Sequence, residues 1–537
     1  LEFKVPRLLP LTAALVIGLA MATSSSAQNS SLPDMGSSAA ELLSPEQEAE
    51  YGSYTLYQLR NYGYVLDDPL LDAWLQGMGH RLGASSDRPE QPFTFFLMKQ
   101  RQINAFATFG GYIGMNAGLI LTAQAEDEVA GVLAHEISHV TQRHILRSVE
   151  RSQKDQIPVL LAMLAVVVAA QQSNSNSNSR DDAVQAAVIG GQALLAQRQI
   201  NHTRSSEAEA DRIGIQTLHR ADYRAGAMAD FFERMAAANR GNSGGYQLPD
   251  YLRSHPVTTT RISEARERAE RIDKEVRPAL VSSGSLLSPL IPNQFNLIPQ
   301  TGSNAPLRQF DWARERLRAL TADSPQHAVN EFRALTSGIK AGKLTDAQNY
   351  GYSLALMQSG SPGAAEVILE QLRNKHPDNM WVELAYAENA HLAKQPAQSQ
   401  QRFEALLKKY PRHNAVTLTY ARTLGEIGSA EAGRRAQAVL RPLLAESADD
   451  PGFQKSFARA CELAGDTNRA IEAYAEAAYL NGRPEDAVRQ LDSLLKKENI
   501  DYVQRARIEA RIAAITPEVL EMRRQGIKPS EQPPDRT

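Results

Sequence analysis

The chain has 537 residues, of which 42% are hydrophobic and 22% charged, with a net charge of −3. At about 150 residues per domain this length suggests three or four domains, and the balance is that of a globular protein, not a disordered or fibrous one. The near-cancelling charge (58 basic against 61 acidic residues) excludes an electrostatic footprint for nucleic acid, and the single cysteine, Cys461, excludes an intrachain disulfide framework and any Cys-rich zinc or iron–sulfur site.

Lys4 and Arg7 precede an almost wholly apolar run, Leu8 to Ala22, and Ser25-Ser26-Ala27 follows before Gln28. A basic start, an apolar stretch and a small-x-small cleavage site lead us to expect a secretory signal peptide over 1–27 and a flexible mature N-terminus over 28–40. The alternative is an uncleaved membrane anchor, but the run is about 15 residues against the roughly 20 that span a bilayer, and Pro10 interrupts it. Export implies an oxidising compartment in which one cysteine has no partner. Cys461 lies in the helical pattern Ala-Arg-Ala-Cys-Glu-Leu-Ala and reads as a buried small apolar residue.

Residues 41–275 mix helical periods with one Gly-rich, strand-like stretch and are expected to form a domain. Asn104-Ala105-Phe106 leads into Gly110-Gly111-Tyr112-Ile113-Gly114-Met115-Asn116. Glycines interleaved with apolar residues suggest a strand that another backbone can approach closely; a plain hairpin is the alternative.

His135-Glu136-Ile137-Ser138-His139 is an HExxH motif. Val129, Val132, Leu133, Ile137 and Val140 recur at helical spacing around it, and Glu126 and Asp127 favour the dipole near the helix start. Four residues at about 100° each bring His139 within about 40° of His135, one turn away. Two imidazoles on one face can then grip one tetrahedral ion, and zinc suits N/O ligands with no redox demand. Glu136 projects to the side, where it can take a proton from a water that the ion activates and return it to a leaving amine. Two ordinary histidines on a helix are the alternative, which the amphipathic context weakens.

A third ligand is needed. The metzincin pattern requires Gly and His three and six residues beyond the second ligand, where this chain has Gln142 and Ile145. His144 is therefore expected on the helix surface. The better candidate is Ser206-Glu207-Ala208-Glu209-Ala210-Asp211-Arg212-Ile213-Gly214. Glu207 and Asp211 share a helix face, so one carboxylate can bind the metal while the other accepts a hydrogen bond from a ligand imidazole. Glu209 lies about 200° round from Glu207 and is expected to point elsewhere. Ala208, Ala210 and Gly214 keep the helix slim enough to pack closely on the HExxH helix. Taken alone, the segment would be a solvated acidic face.

Two apolar segments, 157–170 and 183–196, flank a polar tract at 171–179. Each is about 14 residues, too short to span a membrane. A helical hairpin beside the site is the simplest reading, as a lid, a substrate gate or a membrane-touching surface; burial against the C-terminal region is the plainer one. Residues 276–308 lose periodicity and carry Pro278, Pro289, Pro292, Pro299 and Pro306, as an extended linker does.

From 309 to 515 helix follows helix. Lys375-His376-Pro377 and Lys409-Tyr410-Pro411 each close one, with the prolines 34 residues apart. Ala365 and Leu369, Phe403, and Ala470, Ala473, Tyr474 and Ala477 fall at small and large packing positions. This resembles degenerate tetratricopeptide repeats, although the 40 residues from Pro411 to Pro451 depart from the period. Such a solenoid offers a concave surface for protein or peptide; an unrelated helical bundle is the alternative. Residues 516–537 read as a polar tail.

HExxH followed some 70 residues later by Glu-x-x-Ala-Asp resembles the M48 gluzincin metallopeptidases, relatives of the CAAX prenyl proteases. The resemblance covers most of the mature chain, through specific motifs in the N-terminal half and weak ones in the repeats. It implies a mainly α chain: a zincin-like α+β metallopeptidase domain, with helices and a small sheet, then an all-α tetratricopeptide-repeat solenoid. It implies one zinc ion per chain on His135, His139 and Glu207, with Glu136 as general base and Asp211 behind a ligand imidazole. It also puts His255, in Ser254-His255-Pro256, and Arg261 near the active site. His255 would stabilise the oxyanion or occupy zinc's fourth position in a resting state, and Arg261 would pair with Glu207 or substrate. A helix-start His-Pro with an exposed Arg is the alternative. In zincin-like enzymes an edge strand such as 110–116 holds an extended substrate by β-augmentation.

The expected activity is that of a periplasmic zinc endopeptidase. The resemblance implies unfolded or misassembled outer-membrane proteins as substrates and the β-barrel assembly machinery as a partner of the repeats; the apolar hairpin adds peripheral membrane contact, and the charge balance leaves no nucleic-acid partner. The rival from another class is a chaperone or assembly scaffold for outer-membrane β-barrels with a latent protease site. A prenyl-type peptidase is disfavoured by export and by the absence of flanking membrane spans.

Overall fold

Helix α1 (Pro45–Asn61) opens on a reciprocal cap: the Ser44 hydroxyl accepts from the Gln47 amide, and the Gln47 side chain accepts from the Ser44 amide. Helix α2 (Pro69–Ala84) starts on Asp68, whose carboxylate accepts from Leu71 N at 3.0 Å. The computed structural model describes residues 43–151, 200–241, 250–274, 309–337, 342–498 and 500–524. The expected signal peptide (1–27), mature N-terminus (28–40) and linker (276–308) lie outside the described residues, as do the segments 157–170, 171–179 and 183–196.

Strands β1 (Thr94–Met98), β2 (Ala105–Ala107) and β3 (Tyr112–Asn116) form a sheet in the order β1-β3-β2. β3 runs parallel to β1 and antiparallel to β2, with Gly114 opposite both Phe96 and Phe106. The Gly-rich strand is therefore central, a correction to its expectation as an approachable edge. The hairpin forms instead, turned by Gly110 and Gly111 at φ of 67° and 84°. What approaches Gly114 is aromatic: a Cβ there would stand 2.6 Å from the Phe106 ring and 2.7 Å from the Phe96 ring.

Behind the short helix α3 (Ala117–Thr122), helix α4 (Glu126–Thr141) carries the HExxH motif. Every residue from Glu128 to Ser138 is buried, as expected of a helix enclosed on all sides. Its start has no side-chain cap on Ala125; Glu128 reaches back to accept from Gln124 N at 2.8 Å and is gripped by Arg234. The remaining elements around it are α5 (144–151), α6 (200–220), α7 (Ala227–Gly241), α8 (Asp250–Ser254) and α9 (Thr259–Lys274). Small residues set the helix spacing. A Cβ on Gly131 would lie 3.1 Å from Met228 Cα on α7.

The C-terminal region stacks helices in pairs, from α10 (Gln309–Leu320) and α11 (Pro325–Thr336) through α12 (Asp346–Gln358), α13 (Pro362–Lys375), α14 (Met380–Leu392), α15 (Pro396–Lys409), α16 (Asn414–Ile427) and α17 (Ala430–Leu440) to α18 (Pro451–Ala464), α19 (Thr467–Leu480), α20 (Pro484–Leu495) and α21 (Tyr502–Arg524). Ala365, Leu369, Phe403, Ala470, Ala473 and Ala477 are buried between them, and so is Cys461. The left-handed turn residues expose the repeat: Gly360, Lys394 and Gly428 fall 34 residues apart, as do Asp378 and Arg412. The irregular interval before Pro451 is filled by a 3-10 turn at Arg441–Leu443 and further turns to residue 449. The last helix runs on to Arg524, past the expected boundary at 515, because Ile515, Val519 and Met522 are buried along it.

One hydrophobic core extends from Leu66 to Ala473 through both halves. Buried Arg316 grips the Asp68 carboxylate with two nitrogens, at 2.9 and 2.7 Å, and donates to Tyr350 OH. Arg422 donates to Asp67, Arg101 to the Arg318 carbonyl, and Arg60 to the Leu480 carbonyl. Among the described residues no helix is long and apolar enough to cross a membrane.

Candidate metal centre

His135 and Glu136 on α4 are almost wholly buried, and His139, one turn on, is partly so. Helix α6 brings Glu207 and Asp211 against them. It comes close because Gly214 has no side chain: a Cβ there would lie 3.2 Å from Ala134 O and from His135 N. Helix α8 and the turn after it deliver His255, and α9 delivers Arg261. The loop carrying α8 is tied down by Tyr251 N donating to Ile103 O.

Four donors converge. His135 Nε2 lies 3.1 Å from His139 Nε2, 3.3 Å from His255 Nδ1 and 3.3 Å from Glu207 Oε2. Glu207 Oε1 lies 3.3 Å from His139 Nε2 and 2.9 Å from His255 Nδ1. A tetrahedron with about 2.05 Å from centre to corner has edges of about 3.3 Å, the spacing of zinc ligands. The three imidazoles and one carboxylate thus fit zinc in donor type and in spacing, and all their ligand atoms lie within 4.8 Å of one another.

The charge balance points the same way. Glu207 and Asp211 share one cation, Arg261, so the carboxylates outnumber the fixed positive charge described beside them. Burial works against a charged imidazole at His135, but the bonds to Asp211 and Glu207 outweigh it and push the group up to about 10. Burial likewise opposes ionisation of Glu207, yet the three imidazoles hold it far below the usual carboxylate range. The centre strongly favours a cation.

Around the donors stand two carboxylates, an arginine and a tyrosine. His135 Nδ1 lies 3.0 Å from Asp211 Oδ1. Arg261 Nε and Nη2 donate to Asp211 at 2.7 and 2.8 Å, Nη1 lies 2.9 Å from Glu207 Oε2, and the guanidinium sits over the Phe232 ring. Arg261 is buried, so the reading of an exposed arginine does not hold. Tyr251 stacks on the His255 ring with centroids 4.7 Å apart. Glu136 Oε1 is buried without a hydrogen-bond partner, 3.6 Å from His255 Nε2.

Sequence reasoning missed one arm. His144 is buried at 4% exposure, not on the surface as expected. On an unbroken helix it would face away from His139, but the helix breaks at Gln142–Arg143. Arg143 adopts φ 53°, which swings α5 round until His144 Nδ1 lies 2.9 Å from His139 Nδ1. His144 Nε2 lies 3.1 Å from Glu209 Oε2, and Arg147 holds that carboxylate at 2.8 Å. Glu209 does point away from the four donors, but toward this arm. Nothing in the residue types marks Arg143 as left-handed.

Residues 69–269 match peptidase family M48. The beta-barrel assembly-enhancing protease of Escherichia coli (strain K12) is 30% identical over 504 residues, covering 94% of this chain and 94% of that protein. A Vibrio cholerae serotype O1 protein that carries the same name provisionally is 37% identical over 348 residues, 65% of this chain and 64% of that one. The mitochondrial metalloendopeptidase OMA1 of Saccharomyces cerevisiae is 29% identical over 160 residues, 30% of this chain and 41% of that protein.

Proposed function

The chain belongs to peptidase family M48, beside the beta-barrel assembly-enhancing proteases, and from that membership we propose a zinc-dependent endopeptidase of the periplasm that removes unfolded or misassembled outer-membrane proteins. The observation that carries the zinc assignment is the tetrahedral spacing of His135, His139, Glu207 and His255. The apolar leader pattern of the sequence and the name of the relatives support the compartment and the substrate class.

In this reading His135, His139 and Glu207 hold the ion. A zinc ion so held polarises a scissile carbonyl and acidifies water. Glu136 is the proton carrier: its unpartnered Oε1 accepts a proton from the attacking water and passes it to the leaving amine nitrogen. Asp211 fixes the tautomer and orientation of His135, and Arg261 holds both Asp211 and Glu207 in place. An extended substrate adds to β2, the sheet edge packed on α4.

His255 takes the fourth corner in the resting enzyme. A catalytic site needs that corner open, so His255 acts as a latch that substrate engagement must displace. The repeats dock protein, with the β-barrel assembly machinery as the proposed partner.

The test is Glu136→Gln. It should keep zinc and substrate binding and lose casein cleavage by about a thousandfold or more. Cleavage at the wild-type rate would overturn the assignment of the base. The closed fourth corner favours one second reading, a chaperone or scaffold with a latent site. If Glu136→Gln rescues every phenotype of a deletion, that reading wins.

A further inference from the structure

We infer that His144 and Glu209 form a second positioning arm of the metal centre, a hydrogen-bonded chain that fixes the tautomer of His139. The inference rests on the zinc reading above. It concerns residues that the HExxH pattern and the Glu207–Asp211 segment leave without a role.

The proton positions follow from the geometry. His135 and His139 turn their Nε2 atoms toward each other, 3.1 Å apart, and both face Glu207. To ligate a cation each Nε2 must present a lone pair, so each ring carries its proton on Nδ1. For His135 that nitrogen lies 3.0 Å from the Asp211 carboxylate. For His139 it faces a nitrogen, His144 Nδ1, at 2.9 Å. Two N–H groups cannot point at each other, so His144 Nδ1 is the acceptor and its own proton sits on Nε2. That proton faces Glu209 Oε2 at 3.1 Å, a carboxylate that can only accept. Arg147 Nη1 donates to the same oxygen at 2.8 Å and completes the chain. One tautomer set satisfies every link.

The two ligand imidazoles are thus supported unequally. His135 leans directly on a buried carboxylate that is itself clamped by Arg261. His139 leans on a neutral imidazole, with the carboxylate one step further out and partly exposed at 30%. An imidazole that donates its distal N–H is a more basic and better oriented ligand, and loss of such a partner costs about 10- to 100-fold in metal affinity. His144 is a positioning residue; it does not touch the donor positions.

The measurement is zinc affinity by chelator competition on the full chain, with thermal unfolding at saturating zinc as a check of folding. Asn carries its amide oxygen where His carries Nδ1, whereas Gln carries its amide where His carries Nε2. His144→Asn should therefore keep the bond to His139 and stay within about threefold of wild type, while His144→Gln and His144→Phe should lose about 10- to 100-fold. Glu209→Gln should fall between. If Phe fills the site and binds zinc like wild type, or if Gln binds better than Asn, the arm has no positioning role. Should Phe fail to fold, the Asn and Gln pair still decides. A wild-type chain with no zinc affinity would instead overturn the metal reading itself.

Discussion

Gly214 lies so close to His135 that a methyl group on it would stand 3.2 Å from the His135 amide nitrogen. The helix carrying Glu207 and Asp211 can approach the HExxH helix only because that position has no side chain. Gly214→Val should push the two helices apart, costing about 1–3 kcal/mol as overpacking does. Zinc affinity should drop with it, by about tenfold or more as donor spacing opens. Denaturant unfolding and chelator competition read the two effects; an unchanged zinc affinity would show that the approach is not needed.

His255→Ala should raise basal cleavage of an unfolded substrate. If the latch holds about 90% or more of the enzyme closed, its removal raises the rate about tenfold. An unchanged or lower rate with zinc still bound would remove the latch and leave His255 as a stabiliser of the reacting carbonyl oxygen.

Arg261 bridges two buried carboxylates, so Arg261→Met leaves them short of a cation. We expect a loss of about 3–5 kcal/mol in chelator-treated protein, and Arg261→Lys should not restore it because a point charge cannot span both partners. The pH profile gives the sign. Burial opposes ionisation of Asp211, but His135 and Arg261 hold its carboxyl below the usual range. Its contribution is complete above the unfolded value, near ~3.9, and is lost as pH falls through the depressed one. The methionine variant should show a shallower acid limb. A limb as steep as that of wild type would place the acid sensitivity elsewhere.

Glu388 should behave in the opposite sense. It lines a cavity of about 270 Å³ with Asp68, Arg316, His391 and Arg422, where the repeats meet α2. Burial pushes its carboxyl up to about 7, with Asp68 and Glu426 adding to the shift and Arg316 opposing it. The folded protein therefore holds this proton after the unfolded chain has released it, and stability falls as pH rises from the unfolded value, about 4.3, to about 7, above which the loss is complete. Glu388→Gln should stabilise the protein by about 3 kcal/mol at pH 8 and by nothing near pH 4. Equal gains at both pH values would refute the assignment.

Lys394 occupies a left-handed turn at φ 63°, where Gly360 and Gly428 stand 34 residues to either side. Lys394→Gly should relieve the strain of a side chain in that conformation and raise stability by about 0.5–1 kcal/mol in urea unfolding. A loss of stability would mean that the lysine side chain contributes more than its backbone costs.

The donor cluster was legible where chemistry forces spacing. Two imidazoles on one helix share a face when they stand three or four residues apart, and the HExxH spacing meets that condition. Glu207 and Asp211 were legible as a pair, but their division of labour was not, because residues on one helix face have equal access to a neighbour until the packing is known. His144 was misread because its direction depends on one left-handed residue, Arg143, that any residue type could hide. The central placement of β3 was hidden for a related reason: Gly114 signals close approach, and the sequence does not say that the approaching groups are Phe96 and Phe106. The repeats were visible through their buried small residues, and the interval before Pro451 departs because its turns carry no packing pattern.

Asp68 starts α2, against which the catalytic helix packs, and it is also locked to Arg316 in the first repeat helix. Further along, Arg422 and the carbonyl of Leu480 are fastened to Asp67 and Arg60. The solenoid is therefore fastened to the N-terminal half at three separated points along its length, in its first helix, in α16 and at the end of α19. The helix that carries His135 and His139 is thus backed by an element, α2, that is itself fastened to the repeats.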